Sequence, residues 1–334
     1  MNPQQRSVSE LGEIALIRRI TERIGRSPDG ETWSGDDCAV LDVDDRRLLV
    51  TTDLLVEGVD FTLEHFAPDA IGWKAIAVNL SDIAAMGGIP RYAVAAMSLR
   101  PECEVATVDE ILEGMLAATE RWGVALVGGD LTRADEIAIS VTLLGAPAAE
   151  RAILRSTAGP GDAICVTGTL GGAAGGLIEM KRGYRESRGP GGLRDRQQRP
   201  QPRVAEGQRL AELGVSSMID ISDGLAVDLE HLMVASGTGC EVDPSAIPVD
   251  PQLEALRGAT GDPVDSLELA ITGGEDFELL FTVAAERVDD VRDGVAELGT
   301  AVTHIGAVTE GARRLGDRPL EEWRRRGWDH LLDR

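Results

Sequence analysis

Hydrophobic and polar positions along the chain follow two periodicities. Apolar residues at helical spacing recur over residues 10–24, 69–87, 105–121, 171–182, 204–213 and 224–236. Between them lie β-rich runs that end in turns carrying an acid, at residues 51–53, 128–130 and 220–223; a fourth such turn, 273–276, precedes a strand-like alternation. Strands interleaved with helices predict an α/β fold, or an α+β fold with mixed sheets.

The chain of 334 residues is long enough for two domains. A predicted strand ends near residue 148, and a link rich in arginine, glycine and proline follows it. We therefore predict an N-terminal domain of residues 1–148 and a C-terminal domain of residues 149–334. Residues 183–203 are basic and lack periodicity, which fits either a solvated loop or a lid over an anionic ligand.

One predicted helix, WKAIAVNLSDIAAMGGIP, is apolar on nearly every side and yet carries Asp82 in its middle. A buried carboxylate is costly unless it is paired, hydrogen-bonded or bound to a metal. The sequence therefore predicts a partner for Asp82.

Composition limits the classes of partner. The formal net charge of −24 argues against nucleic acid and against anionic membrane surfaces. We find no uninterrupted apolar stretch of about 18 residues, so no transmembrane helix is expected, and the N-terminal residues lack the apolar core of a secretory signal. The four cysteines are scattered without a C-x-x-C pair, as is typical of a reducing compartment. We expect a cytoplasmic protein.

The chain contains only two lysines, Lys74 and Lys181. It has no P-loop lysine motif and no H-R-D motif followed by D-F-G. If the protein handles phosphates, metal ions and arginine must balance their charge.

Five segments place carboxylates beside glycine, serine or threonine. They contribute Asp36 and Asp37, Asp53, Asp82, Asp130, and the pair Asp220 and Asp223. Magnesium prefers hard oxygen ligands and uses one or two carboxylates together with water and phosphates. If the five segments converge, they predict several Mg²⁺ ions along a polyphosphate.

Two of these segments have a plainer interpretation when they are taken alone, whereas Asp82, with apolar neighbours all round, is the exception. The GDD triplet fits a turn, and Ser222 or Asp223 fits the N-cap of the helix that follows. The glycine-rich run 167–177 fits either a phosphate-binding loop or close packing at a helix start. The four histidines lie far apart and form no catalytic or metal-binding motif, so surface or capping roles are expected for them.

The blocks as an ordered set are more informative. GDDCAV, TTDLLVEGVDF, WKAIAVNLSDIAAMGGIP, VGGDLTRA, ILRSTAGPGD, DISDGLAVDLEHL, GGEDFELLFT and GWDHL resemble the thiamine-monophosphate kinase family, from about residue 10 to the C-terminus. That family lies in the superfamily of aminoimidazole ribonucleotide synthetase-like ATP enzymes. The resemblance implies a two-domain α/β protein that dimerises through its N-terminal sheet, which forms a barrel across the two-fold axis.

The resemblance also implies ATP-dependent phosphorylation of thiamine monophosphate to thiamine diphosphate with several Mg²⁺ ions. The implied metal ligands are Asp37, Thr51, Thr52, Asp53, Asp82, Asp130, Asp220 and Asp223. The implied nucleotide contacts are Gly129, Asp130, Arg155 and Ser222, and the implied thiamine contacts are Glu275 and Trp328.

One position departs from the family. Asp60 stands where the family commonly has a histidine, and an ionised aspartate would repel the substrate phosphate that a histidine can bind. An arginine from elsewhere, for example from residues 183–203, would then take over that contact.

The chemistry needs no strong general base, because a phosphate acceptor with a second pKa of about 6 is already largely anionic at neutral pH. We therefore predict direct transfer without a phosphoenzyme and without an acid–base residue. The alternatives are a sister ATP enzyme of the superfamily or a non-catalytic sensor of nucleotide or thiamine phosphate. Sister enzymes that use an N-terminal or a C-terminal cysteine are disfavoured, because the first cysteine is Cys38 and the last is Cys240.

Overall fold

The computed structural model describes residues 12–25, 27–44, 46–183, 191–260 and 265–324. The N-terminal half is built on a five-stranded sheet in the order β1-β2-β5-β3-β4, in which only the β3–β4 pair is parallel. Its elements are α1 (Glu13–Ile24), β1 (Ala39–Val43), β2 (Arg46–Val56), α2 (Pro68–Ala85), β3 (Gly88–Leu99), α3 (Val105–Trp122), β4 (Ala125–Arg133) and β5 (Ala138–Pro147).

The C-terminal half is built on a seven-stranded mixed sheet in the order β12-β11-β8-β10-β6-β9-β7. Its first elements are a short 3-10 helix (Arg155–Thr157), β6 (Asp162–Thr167), α4 (Gly172–Lys181), α5 (Leu193–Gln198), α6 (Val204–Glu212), β7 (Ser217–Asp220), α7 (Leu225–Ser236) and β8 (Gly239–Val242). The remaining elements are α8 (Gln252–Thr260), α9 (Ser266–Thr272), β9 (Leu279–Ala284), α10 (Val288–Ala296), β10 (Val302–Thr309), β11 (Arg313–Leu315), β12 (Arg318–Pro319) and α11 (Leu320–Arg324), with 3-10 turns at Pro244–Ala246 and Ala285–Arg287.

The helical periodicities are confirmed to within three residues at each end. Two of the predicted strand ends are wrong. β2 continues past Asp53 to Val56, because it pairs with β5 as far as Val56 and Ala138, and β4 continues past Asp130 to Arg133 along β3. The acids at these positions therefore lie inside strands, where their direction is set by the alternation of side chains.

Helix α2 is buried on all sides because both halves of the molecule pack against it. Its apolar residues share one hydrophobic core with the N-terminal sheet, with α3, and with residues of α6, β7 and β9 such as Leu210, Met218 and Phe281. Gly72 and Gly114 let α2 and α3 cross closely, since a Cβ at either glycine would lie 1.8 Å from a carbonyl oxygen of the other helix. A helix with no solvated face needs apolar residues all round, which explains its pattern.

The domain boundary near residue 148 stays a prediction. β5 ends at Pro147 and the strands of the second sheet begin at Asp162, but the core around α2 is common to both halves. Within the described residues, no helix is both long and apolar enough to cross a membrane.

Of the segment 183–203, the part from residue 191 onward is packed on the protein, so the solvated-loop interpretation is wrong there. Leu193 and Gln197 of α5 are buried, and Trp73 donates its indole N–H to the Pro200 carbonyl at 2.9 Å. The sequence did not reveal this helix because six residues are too few to show a helical periodicity, even though Leu193 and Gln197 lie on its buried side.

Candidate functional site

Three carboxylates from distant parts of the chain meet at the C-terminal end of α2. Asp37 precedes β1, Asp82 lies in the last turn of α2, and Asp220 ends β7. One carboxylate oxygen from each lies within 4.8 Å of the others. We call these three residues the acid cluster.

Hydroxyl groups of β2 and α2 orient two of the carboxylates. Thr51 of β2 donates its hydroxyl proton to Asp82, and Ser81 donates to Asp220 at 2.5 Å. Thr51 thus stands beside Asp82, as its predicted role requires.

The electrostatics of the acid cluster are unfavourable without added cations. Burial raises the pKa of Asp82 well above its ordinary value, and the charges of Asp53, Asp220 and Asp37 raise it further. Burial and Asp37 likewise raise the pKa of Asp220. Asp82 also lies in the last turn of α2, where the helix dipole is negative. Asp53 lies on the same face of β2 as Thr51, two residues earlier, and its charge is one that raises the pKa of Asp82, so this predicted ligand also faces the cluster.

In the described part of the chain, Arg155 is the only basic side chain that forms an ion pair with the acid cluster. Its guanidinium donates to both oxygens of Asp37, at 2.5 Å and 3.1 Å, and its backbone N–H donates to Asp36 at 3.1 Å. Burial, followed by the charge of Asp37, raises the pKa of Asp36 to about 7. One arginine cannot balance so many acids, and a set of hard oxygen donors with excess negative charge fits Mg²⁺.

A second group with metal-ligating side chains follows β7. Carboxylate and imidazole atoms of Asp223, Asp228 and His231 lie within 4.8 Å of one another. Burial lowers the pKa of His231 to about 4, so its ring is neutral at physiological pH. Sequence reasoning set His231 aside because no nearby motif pointed to it; its spacing of three residues from Asp228 on one helix face was the available signal.

The N-cap interpretation of Ser222 and Asp223 is wrong. Gly224 is the N-cap residue of α7, and no side chain there caps the helix. Instead Asp228, buried in the first turn, accepts the N–H groups of Asp223 and Gly224 at 3.1 and 3.0 Å. Asp228 therefore holds the loop that carries Ser222 and Asp223.

The glycine-rich run 167–177 serves close packing. A Cβ at Gly176 would lie 2.1 Å from the Leu193 carbonyl oxygen. Asp276 accepts the N–H groups of Gly171 and Ala173 at 2.6 and 3.0 Å, so an internal carboxylate already occupies the start of α4. Burial raises the pKa of Asp276 to about 7 despite these hydrogen bonds.

Two predicted ligands point away from the acid cluster. Thr52 alternates with Thr51 along β2, and its hydroxyl contacts Thr142 and the Val141 carbonyl, each at 3.1 Å. The Thr52 and Asp82 side chains therefore cannot share one ion. Asp130, which is exposed, pairs through β3 and β5 with Leu54 of β2. Three strand spacings, roughly 14 Å, separate Asp130 from Leu54, and the same spacing separates Gly129 from Asp53 of the same chain.

The predicted substrate residues have different positions. Glu275 lies next to Ser222, whose carbonyl accepts the Glu275 N–H at 2.7 Å. Asp60 closes the turn after β2 by accepting the Val56 N–H at 2.7 Å. Trp328 lies outside the described residues.

Comparisons with known proteins agree with this architecture. Residues 35–146 match the N-terminal domain of AIR synthase related proteins, and residues 159–315 match the C-terminal domain. The thiamine-monophosphate kinase of Salmonella typhimurium is 37% identical over 331 residues, covering 96% of this chain and 98% of the relative. The Aquifex aeolicus kinase is 36% identical, with 97% and 99% covered.

Solved structures of thiamine-monophosphate kinases also have a fold similar to that of this chain. The structure described as "AaThiL complexed with AMPPCP and TMP" superposes with a TM-score of 0.86 at 34% identity, covering 98% of this chain and 99% of that one. The thiamine-monophosphate kinase of Stenotrophomonas maltophilia K279a has a TM-score of 0.75 at 36% identity, covering 92% and 96%. Hydrogenase maturation protein HypE shares the fold alone, with a TM-score of 0.67 at 22% identity over 85% and 83% of the two chains. The two-domain α/β fold is thereby confirmed, and the chain belongs to the AIR synthase related proteins and, among them, to the thiamine-monophosphate kinase family.

Proposed function

We propose that this chain transfers the γ-phosphate of ATP to thiamine monophosphate, giving thiamine diphosphate and ADP, with several Mg²⁺ ions bound at the acid cluster. The observation that carries the proposal is the convergence of Asp37, Asp82 and Asp220 within 4.8 Å, in a chain of the thiamine-monophosphate kinase family. A relative with 34% identity and the same fold is described as a complex with AMPPCP and TMP.

Transfer requires two anions to approach each other. Two unit charges about 4 Å apart repel by roughly 4 kcal/mol at an effective dielectric constant of 20. Bound Mg²⁺ would neutralise that charge and align the reacting phosphates. Asp37, Asp82 and Asp220 would hold the metal, assisted by Thr51, Asp53 and Asp223; their oxygen donors suit Mg²⁺.

The reaction itself is one direct displacement. A phosphate oxygen of thiamine monophosphate forms a bond to the γ-phosphorus, the bond from that phosphorus to the β–γ bridging oxygen breaks, and ADP leaves. No protein group needs to remove a proton, because the acceptor phosphate is already anionic. Trapping of a labelled phosphoprotein after mixing with γ-labelled ATP would contradict direct transfer.

The remaining predicted roles belong to the proposal. When ATP binds, the guanidinium of Arg155 would exchange its ion pair with Asp37 for one with a nucleotide phosphate, because its planar group can bind a carboxylate or a phosphate through two hydrogen bonds. Ser222 would contact the same nucleotide. Glu275 would hold the thiamine ring system, and the resemblance assigns Trp328 to the same substrate. Asp60, engaged in its own turn, would lie beside the substrate phosphate without binding it.

We also propose a homodimer that completes the site. β4 is an edge strand, and residues 51–56 of β2 extend beyond the five-residue pairing with β1. The outer face of the sheet exposes Leu54, Tyr92 and Val94, which are between 39% and 57% accessible. Pairing of β4 with the open part of a second copy's β2 would cover these residues, close a barrel across two chains and bring Gly129 and Asp130 next to the other chain's Asp53.

Mixing variants tests the shared site. Asp53→Asn and Asp130→Asn each inactivate their own homodimers, and co-refolding the two restores part of the activity, because half of the sites in mixed dimers are intact. Failure to restore activity, with mixed dimers verified by mass, would show that Asp130 acts within its own chain.

We assign this activity to the cytoplasm, in keeping with four free cysteines in the structure. Turnover with ATP and Mg²⁺ tests the function, with thiamine monophosphate compared with free thiamine and the products separated by chromatography. Mg²⁺-dependent formation of thiamine diphosphate from the monophosphate alone supports the proposal. ATP consumption with a different phosphorylated substrate would assign the chain to sister chemistry.

A further inference from the structure

Lys74 is a fully buried cation in the N-terminal half of α2. Its side chain is 0% exposed, and its ammonium lies 2.6 Å from Oε1 of Glu275, whose side chain is 31% exposed. In the described part of the chain the ammonium has no hydrogen-bond partner, so its contact with Glu275 is an ion pair. The face of Phe66 is a further electrostatic neighbour, with the ring centroid at 5.3 Å. A charge buried in this position needs an opposite charge beside it, and Glu275 supplies that charge.

The second oxygen of Glu275 is also held by a buried group. Gln197, 3% exposed on α5, donates its side-chain N–H to Oε2 of Glu275. The α5 segment is fixed onto α2 by the Trp73–Pro200 hydrogen bond and by an ion pair between Arg199 and Asp69. The donor is therefore rigidly placed.

The backbone of Glu275 is strained in a way that aims its side chain. Its φ of 68° lies in the left-handed region, which is unfavourable for a residue with a Cβ. The preceding Gly274 passes so close to Ser222 that a Cβ there would lie 2.5 Å from the Ser222 carbonyl oxygen. Such strain persists only where surrounding contacts enforce it.

Glu275, through Lys74, and the acid cluster, through Asp82, contact α2 at two different levels. Lys74 and Asp82 are eight residues apart, a little over two turns, so their side chains are rotated by about 80° and separated by roughly 12 Å along the axis. A substrate with its phosphate at the acid cluster and a ring system extending along α2 would reach Glu275 with the ring.

From these contacts we propose that Lys74 and Gln197 are positioning residues that hold the Glu275 carboxylate in one orientation, so that Glu275 selects a cationic heteroaromatic substrate that carries an amino group. The proposal rests on the proposed function and deepens it. Each oxygen of an ionised carboxylate has two acceptor positions. With one position per oxygen taken by Lys74 and Gln197, the exposed edge of Glu275 still accepts a hydrogen bond from an amine and attracts a positive ring.

The consequence for specificity is a preference between amine and carbonyl substituents. An amino group on the substrate ring donates a hydrogen bond to Glu275. An oxo group in the same place can only accept one, so its oxygen and the carboxylate repel each other. The enzyme should therefore discriminate against the 4′-oxo analogue, oxythiamine monophosphate.

Steady-state kinetics of Lys74→Met and Gln197→Leu test the positioning role. Lys74→Met raises KM for thiamine monophosphate by roughly 10- to 100-fold, and Gln197→Leu by roughly 3- to 10-fold, as expected for a charged and a neutral donor. KM for ATP and kcat at saturating substrate stay near wild type. The matched controls are Lys181→Met, at the only other lysine, and Gln201→Leu, both exposed positions.

A double-mutant cycle separates positioning from general structural damage. In a Glu275→Gln background, Lys74→Met should add no further loss of thiamine monophosphate affinity, measured by calorimetry with AMPPCP present. Glu275→Gln alone should weaken the preference for thiamine monophosphate over oxythiamine monophosphate. Additive losses, or equal rises in both KM values, would overturn the proposal. If wild type itself forms no thiamine diphosphate, the proposed function fails; if wild type is active and Lys74→Met leaves KM for thiamine monophosphate unchanged, only the positioning role fails.

Discussion

The two halves of α2 each carry a charged group inside the protein, and the two charges are balanced in opposite ways. In the N-terminal half, Lys74 is paired within the chain by Glu275 at 2.6 Å. At the C-terminal end, Asp82 meets Asp37 and Asp220, and among the described residues the ion pairs of Arg155 reach only Asp37 of these three acids. The charge of Lys74 is balanced by a group of the same chain, whereas the charge of the three carboxylates is balanced only when cations or protons bind.

This difference separates a site that positions from a site that reacts. A balanced pair can hold a substrate ring in a fixed orientation without any cofactor. Carboxylates that lie close together repel one another, and metal binding relieves this repulsion. The same repulsion therefore lowers the stability of the metal-free protein and raises its affinity for metal.

The largest effect is expected from Asp82→Asn. Removing one central metal ligand should lower kcat/KM by at least about 100-fold. It should also raise the stability of the metal-free protein, because one member of a repelling group is gone. Thermal unfolding in EDTA and kinetics in Mg²⁺ measure both. Asp109→Asn, at an exposed helical position, is the control; a stability loss in Asp82→Asn would break the contrast between the two halves of α2.

The N-terminal half of α2, with Lys74, should respond in the opposite direction. Glu275→Leu leaves the buried ammonium unpaired and should destabilise the fold by about 2–3 kcal/mol, below the range for fully buried pairs because Glu275 is partly exposed. The double variant Lys74→Met with Glu275→Leu should recover most of that loss. Urea unfolding gives the values, and a double variant as unstable as Glu275→Leu would contradict the ion-pair interpretation.

A smaller effect is expected from pH. The pKa values of Asp36 and Asp276, about 7, and the raised pKa values of Asp82 and Asp220 lie above those of the unfolded chain. At pH values between the pKa of such a group in the unfolded chain and its pKa in the folded protein, the folded state holds a proton that the unfolded state has lost. Metal-free stability should therefore fall as pH rises from about 5 to 8, as the linkage relation requires. Stabilisation by Mg²⁺ should be greater at pH 8 than at pH 6; equal melting shifts at both would argue against a protonated cluster.

The smallest effect is expected from Arg155→Lys. Lysine keeps the charge but loses the bidentate fork, so KM for ATP should rise about 10-fold, equivalent to about 1.4 kcal/mol. KM for thiamine monophosphate should stay constant, since Arg155 lies at the acid cluster and not beside Glu275. A rise confined to thiamine monophosphate would reverse the assignment.

Local patterns suffice to predict much of this arrangement. The helices follow from periodicity, and the rule that a carboxylate inside an apolar helix needs a partner singles out Asp82 from the sequence alone. The same argument applied to Lys74 on the same helix would have predicted a buried partner, although nothing in the spacing identifies Glu275, 201 residues later, as that partner.

Tertiary arrangement decides the rest. The order β1-β2-β5-β3-β4 separates Asp130 from Asp53, and no local pattern reveals how many strands lie between two acids. Thr52 faces away from Asp82 because β2 continues through the predicted turn. Asp228, not Ser222 or Asp223, ties the start of α7, because the choice among nearby acceptors depends on the path of the loop.

Proton release on Mg²⁺ binding shows directly whether Mg²⁺ binds at the acid cluster. Calorimetric titration of Mg²⁺ with AMPPCP into the metal-free protein at pH 7, in two buffers of different ionisation enthalpy, counts the protons displaced. We expect net release from wild type and Asp109→Asn, and a clearly smaller release from Asp82→Asn. Equal release from wild type and Asp82→Asn, or none from either, would show that the acid cluster is not where Mg²⁺ binds.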